Sequence, residues 1–136
     1  MGDVRIEGSL TIDSEASLVS VRLAIREAAT ALGFGLADVT RLVTAAFELA
    51  RNVHFHAQNG SVHWRSVDQR NGVGIEIVFV DQGPGITDID LAMTEGWSTT
   101  GGPGIGLPGS RCLTDEMELD SMPGRGTIVT VRKWLK

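Results

Sequence analysis

Cysteine is the first scarcity in this chain of 136 residues. Its one thiol, Cys112, cannot form an intrachain disulfide, so the fold has to be held by its core. A chain of this length can do so as one domain without disulfides or metal, and residues 1–136 read as a single domain. Long apolar runs are missing as well. None is long enough to cross a bilayer, and the N-terminus lacks the basic-then-apolar pattern of a secretory signal. The expectation is a cytoplasmic protein that does not engage a membrane. Positive charge is short: 12 Lys and Arg stand against 17 Asp and Glu, a formal net charge of −5. That argues against a general nucleic-acid surface, but not against a single nucleotide held by local groups. Histidine occurs only as His54, His56 and His63. A His-x-His pair on a helix sends its rings to different sides, which is poor geometry for one metal ion.

Glycine, by contrast, is concentrated. From Asp81 the chain reads D-Q-G-P-G-I, and after about ten residues G-W-S-T-T-G-G-P-G-I-G-L-P-G, ending at Gly109. Asp81 follows the largely apolar run Ile75–Val80, which reads as a strand buried on both faces. The Gly-Pro-Gly after it demands a sharp turn. Six glycines lie between Gly96 and Gly109, beside the hydroxyls of Ser98, Thr99 and Thr100. Glycines let backbone N–H groups approach an anion, and such a nest suits phosphates. A carboxylate at the strand end can accept from the exocyclic amine of an adenine. One segment therefore holds candidates for both ends of a purine nucleotide; the competing reading is a surface loop after an acidic strand end.

In chain order, Val4, Ile6, Leu10 and Ile12 share one face of a half-buried strand, with Gly8 between them. Asp13 or Ser14 can cap a helix whose apolar stripe is Leu18, Val21, Ile25, Ala28 and Leu32, and Gly33 stands where a helix ends. A second helix runs from Leu36 or Ala37 to about His56, with Val39, Leu42, Val43, Ala46, Leu49, Ala50 and Val53 as its core stripe. Ala45, Glu48, Asn52 and His56 lie off that stripe. Glu48 and Asn52, four apart, stack on one face. An Asn oxygen is a hard ligand for Mg²⁺, and a Glu can orient or deprotonate an attacking hydroxyl or water. The same pair would also serve as an ordinary solvated helix face. Asn59-Gly60 and Asn71-Gly72 mark turns around a strand containing Val62 and Trp64. A short helix is expected over Thr87–Met93 and another over Leu107–Glu116, starting beside glycines where free N–H groups favour an anion. Met117, Leu119 and Ser121 alternate, residues 123–126 turn, and Thr127–Trp134 form the last strand.

The element order predicts an α+β sandwich with helices on one face of a mixed or antiparallel sheet. There is no G-x-x-x-x-G-K-[ST], no G-x-G-x-x-G opening a helix after the first strand, and no protein-kinase signature set. A phosphate site here must be of another design.

Four boxes in a fixed order define that design: E-L-A-R-N (Glu48–Asn52), D-Q-G-P-G-I (Asp81–Ile86), S-T-T-G-G-P-G-I-G-L-P-G (Ser98–Gly109) and G-R-G-T (Gly124–Thr127). Together they resemble the GHKL ATPase/kinase superfamily of histidine kinases, gyrase, Hsp90 and MutL. Over nearly the whole chain they are most similar to the small serine kinases related to bacterial anti-sigma factors. The resemblance implies the Bergerat two-layer sandwich and a set of roles. Asn52 would hold Mg²⁺ and Glu48 would be the catalytic base. Asp81 would bind the adenine amine, with Gly83 and Gly85 turning beneath the base and Ile86 beside them. Gly102, Gly104 and Gly106 would form the phosphate-side lid together with Ile105 and Leu107, and Thr127 would support the adenine end. Pro103 departs from the pattern and stiffens the lid; no Lys or Arg lies within the lid itself, Arg111 following it closely and Arg51 adjoining Asn52.

The implied activity is transfer of the γ-phosphate of ATP to a serine of a STAS-domain antagonist, as a partner switch in a bacterial stress or sigma-factor pathway. A PP2C-type phosphatase would be a second partner. Two alternatives stand beside it: an ATP-binding anti-sigma or switch module that acts by binding alone, and an ATPase of the gyrase or Hsp90 type.

Overall fold

The computed structural model describes residues 5–57, 59–69, 72–82, 113–122 and 126–135. Strand β1 (Glu7–Ile12) leads into helices α1 (Glu15–Leu32) and α2 (Leu36–Ala57). Strands β2 (Gly60–Gln69), β3 (Gly72–Asp81), β4 (Glu116–Met122) and β5 (Gly126–Trp134) follow. They form one sheet in the order β1-β2-β3-β5-β4, and every pairing is antiparallel. The expected α+β sandwich is present, with the sheet antiparallel rather than mixed among the described strands.

The two helices form a hairpin. Ser14 caps α1 by accepting from the Ser17 N–H at 3.3 Å. Gly33 ends it at φ +102°, a conformation open to glycine; Gly33 N–H donates to the Thr30 carbonyl and Phe34 N–H to that of Ala29. The chain then reverses into α2. The stripes read from sequence meet here: Val21 and Ile25 of α1 and Leu42, Leu49 and Val53 of α2 pack on Ile12, Val62, Ile75, Ile77, Phe79 and Val131 of the sheet. Each fully buried side chain of this kind contributes about 1.5–3 kcal/mol.

The outer face of the sheet differs from expectation. The run Ile75–Val80 is not buried by apolar layers on both sides, because it is interrupted by Glu76 and its outer side is covered by ion pairs. Arg65 Nε donates to Glu76 Oε1 at 2.9 Å and Arg132 Nε to Oε2 at 2.8 Å. Arg132 Nη1 also reaches Glu118 at 2.7 Å and Glu116 at 3.4 Å. Burial pushes the Glu76 carboxyl up, but the hydrogen bonds and charges of Arg65 and Arg132 outweigh it and hold it below its ordinary value.

A second correction concerns the helix read over Leu107–Glu116. Its start and the helix expected over Thr87–Met93 lie outside the described residues. Glu116 itself is the first residue of β4, paired with Arg132, and its carboxylate accepts from Trp134 Nε1 at 2.7 Å. The strand alternation seen at Met117, Leu119 and Ser121 thus begins one residue earlier, fixed by a partner on β5.

One end of the inner face is closed by charge. Lys133 is buried there, 3.6 Å from Asp38 in the first turn of α2 and 3.9 Å from Asp115. Burial raises the Asp38 carboxyl, yet Arg41 at 2.8 Å and the Lys133 ammonium lower it by more. This ties the start of α2 to β5.

Candidate functional site

The other end of the inner face is arranged quite differently. The pairing registers align Ile12, Gly60, Asp81, Thr127 and Ser121 in one row across all five strands. Directly paired residues project to the same side of a sheet. Ile12 lies in the core, and a Cβ on Gly60 would strike Val53 of α2. The row therefore faces the helices, and it ends in three polar side chains on β3, β5 and β4.

These three are linked. Thr127 N–H donates to Asp81 Oδ1 at 3.2 Å. The Thr127 and Ser121 hydroxyls are 2.9 Å apart, and Ser121 Oγ donates to the Gly126 carbonyl at 3.3 Å. Gly126 is required where it stands. Its φ is +101°, and a Cβ there would lie 2.2 Å from the Asp81 carbonyl oxygen. Backbone thus approaches backbone directly behind the Asp81 carboxylate.

Gly60 does the same for the helix. Because it has no side chain, Val53 of α2 seats against β2, and a Cβ would sit 3.3 Å from that of Asp81. Asn52 adjoins Val53, and Glu48 lies one turn earlier on α2. Glu48 is half-buried, its side chain 16% exposed. Arg51 Nη1 stands 3.8 Å from Glu48 Oε2, and its guanidinium lies 5.2 Å above the Phe55 ring. Arg51 is thus directed toward Glu48 and Phe55.

The structure brings Asp81 and Thr127 into direct contact and places Glu48 and Asn52 on the helix seated over the same row. Gly83, Gly85, Ile86, Gly102, Gly104, Ile105, Gly106 and Leu107 lie outside the described residues. Sequence reasoning passed over Gly60, which reads as a turn residue, and Ser121, which reads as one member of an alternating strand. Ser121 gains its place only through the pairing of β4 with β5, which sets it opposite Thr127.

With this geometry in hand, comparison with known proteins gives the class. Residues 37–136 match the family described as histidine kinase-, DNA gyrase B-, and HSP90-like ATPase. The chain belongs to this ATPase family and, within it, to the RsbT-like serine/threonine-protein kinases. It is 42% identical over 130 residues to the serine/threonine-protein kinase RsbT of Bacillus subtilis (strain 168), covering 96% of this chain and 98% of that one. It is 30% identical over 104 residues to an anti-sigma F factor of Caldanaerobacter subterraneus, covering 72% of this chain and 71% of that one. A solved structure of RsbU and RsbW domains from Mycobacterium tuberculosis matches 94% of this chain with a TM-score of 0.64 at 18% identity. This chain spans 32% of that one, and the likeness carries the fold alone.

Proposed function

We propose that this chain, as a single domain over residues 1–136, transfers the γ-phosphoryl group of ATP to a serine of a STAS-domain antagonist in a bacterial partner-switching pathway. The observation that carries the reading is the identity with a serine/threonine-protein kinase along nearly the whole of both chains. The site chemistry is compatible with it. Asp81 is an acceptor beside an inward-facing threonine, as an adenine amine requires. Asn52 offers a hard oxygen one residue from the point where α2 touches the sheet. Among the described residues no cluster of three His, Cys, Asp or Glu side chains could hold a metal. A Mg²⁺ ion at Asn52 would therefore take its remaining ligands from phosphate oxygens and water, as this ion commonly does, and would neutralise phosphate charge.

In this reading Glu48 orients and deprotonates the attacking serine hydroxyl, with Arg51 holding its carboxylate from the side. Thr127 and Asp81 fix the base, Gly83 and Gly85 turn beneath it, and Gly102, Gly104 and Gly106 enclose the phosphates. Release of the phosphorylated antagonist would free the kinase for a second partner, for which a PP2C-type phosphatase is the candidate. The site of action is the cytoplasm; among the described residues no helix is long and apolar enough to cross a membrane.

The similarity to an anti-sigma F factor favours a second reading, an ATP-binding switch that regulates by binding alone. Labelled-phosphate transfer from ATP to a purified STAS-domain protein separates the two. The kinase reading expects transfer in wild type and a fall of at least about 100-fold in Glu48→Ala and Asn52→Ala, with ATP still bound by Glu48→Ala. Transfer that persists in Glu48→Ala would remove that residue as the base. Absence of transfer by an ATP-bound wild type, tested against the STAS protein it binds, would leave the switch.

A further inference from the structure

We propose that the contact of Val53 on Gly60 sets the span of the nucleotide site, which makes these two positioning residues for its metal and phosphate end. The proposal rests on the nucleotide reading above and extends it to two residues which that reading leaves without a role. The reading puts the base end on the sheet, at Asp81 and Thr127, and the metal end on α2, at Asn52 and Glu48. The two ends belong to different elements, so their separation is a packing distance. Gly60 stands where that distance is set. It is paired with Asp81 across β2 and β3. A Cβ on it would strike Val53 Cγ1 from the helix and come within 3.3 Å of the Asp81 Cβ from the strand. Helix and acidic strand end thus meet over one residue that has no side chain.

The remainder of α2 turns this contact into a lever. In its first turn the helix is tied to β5 by Asp38 and the buried Lys133. Val53 lies about four turns further on, about 22 Å along the axis. Between them Ala46 and Ala50 are buried, side chains that add little height between helix and sheet. Val53 is buried as well, so a larger side chain there has the sheet to push against. Close-packed interiors pass such a displacement on instead of absorbing it. Asn52 precedes Val53 on a continuous helix and has to move with it. Asp81 and Thr127 stay where the pairing of β3 with β5 holds them. Misplacing a positioned group by about 1 Å can cost about 100-fold, so a small lift of α2 is enough.

The test is the gain in ATP affinity that Mg²⁺ brings, read by titration calorimetry as the ratio of Kd in EDTA to Kd in Mg²⁺. The base contacts are common to both measurements and cancel. Wild type should bind more tightly with Mg²⁺. In Val53→Leu that gain should fall by about tenfold, with the affinity in EDTA kept within about threefold of wild type. Val53→Ile adds the same single carbon to a valine-like frame and keeps the test open where leucine does not fold; its gain should fall as well. Val53→Ala leaves a hole but lifts nothing, and should keep the gain within about twofold although it too destabilises the fold. Gly60→Ala, whose Cβ would also lie 2.5 Å from the Val80 carbonyl oxygen, disturbs the strand that carries Asp81 and should lose affinity in both conditions. A gain unchanged in Val53→Leu and Val53→Ile, with ATP still bound, overturns this proposal alone. So does an equal loss in Val53→Ala, because the effect would then follow stability and not height. Wild type that binds ATP with no gain from Mg²⁺ overturns the role of Asn52 and this proposal with it. Failure of wild type to bind ATP at all overturns the nucleotide reading itself.

Discussion

Two carboxylates on β3, Glu76 and Asp81, show how one strand can serve two purposes. Glu76 projects to the outer face, where two arginine guanidinium groups clamp both of its oxygens. Asp81 projects to the inner face, where its cross-strand hydrogen bond comes from the backbone N–H of Thr127. A carboxylate held by fixed charges within the same sheet joins strands. One beside a backbone amide, a threonine and a glycine seat for a helix is suited to a ligand. The difference follows from parity: an odd number of residues separates the two faces of a strand, and positions 76 and 81 differ by five.

Mutations should divide along the same line. Glu76→Ala leaves Arg132 partly buried without its main partner and should cost about 3 kcal/mol, read from chemical denaturation. ATP affinity of the molecules that remain folded should be little changed. Asp81→Asn should do the opposite. Its free protein should unfold within about 1 kcal/mol of wild type, while the gain of about 2.7 kcal/mol expected from ATP at about 100 times its Kd should vanish from the thermal shift. A large stability loss in Asp81→Asn without ligand would dissolve the contrast.

Acid should weaken the outer face in a defined direction. The folded Glu76 carboxyl titrates below its ordinary value, so the unfolded chain binds its proton more readily. Its contribution is complete above the ordinary glutamate range, at about 4.3, and is lost as pH falls through the lower folded value. Denaturation midpoints followed from pH 7 to pH 3 should therefore fall more steeply in wild type than in Glu76→Gln. Asp38 shifts in the same sense and contributes to both curves alike. The smallest effect is expected of Arg65→Ala. That side chain is 60% exposed, and its removal should cost about 0.5–1 kcal/mol, because Arg132 still holds Glu76.

Much of this was legible from periodicity. The stripes of α1 and α2 count at three and four because each helix buries one face, and those residues do form the core. The four ordered boxes named Glu48, Asn52, Asp81 and Thr127 as candidates through the resemblance they carry, and the structure brings Asp81 and Thr127 together. What could not be read locally was register. Gly60 looks like half of an Asn-Gly turn, yet its missing side chain matters because Val53 arrives there from α2. Ser121 gains meaning only when β4 is laid against β5. Glu76 sits among apolar neighbours and looks anomalous until Arg65 and Arg132 are brought to it from two other strands. Glu116 was assigned to a helix because nothing near it in sequence announces Trp134 as its partner.

The position of β5 has a consequence for how the protein comes into being. It follows every other described strand in the chain, yet in the sheet it lies between β3 and β4. Asp81 leaves the ribosome 46 residues before Thr127, the residue whose amide it accepts. Until β5 inserts, β3 has an open edge, and the wall that would read the base is half built. A chain interrupted before β5 has the helices and the acidic strand end but lacks the amide that Asp81 accepts, so under the function proposed above the sheet and competence for nucleotide would mature in the same step.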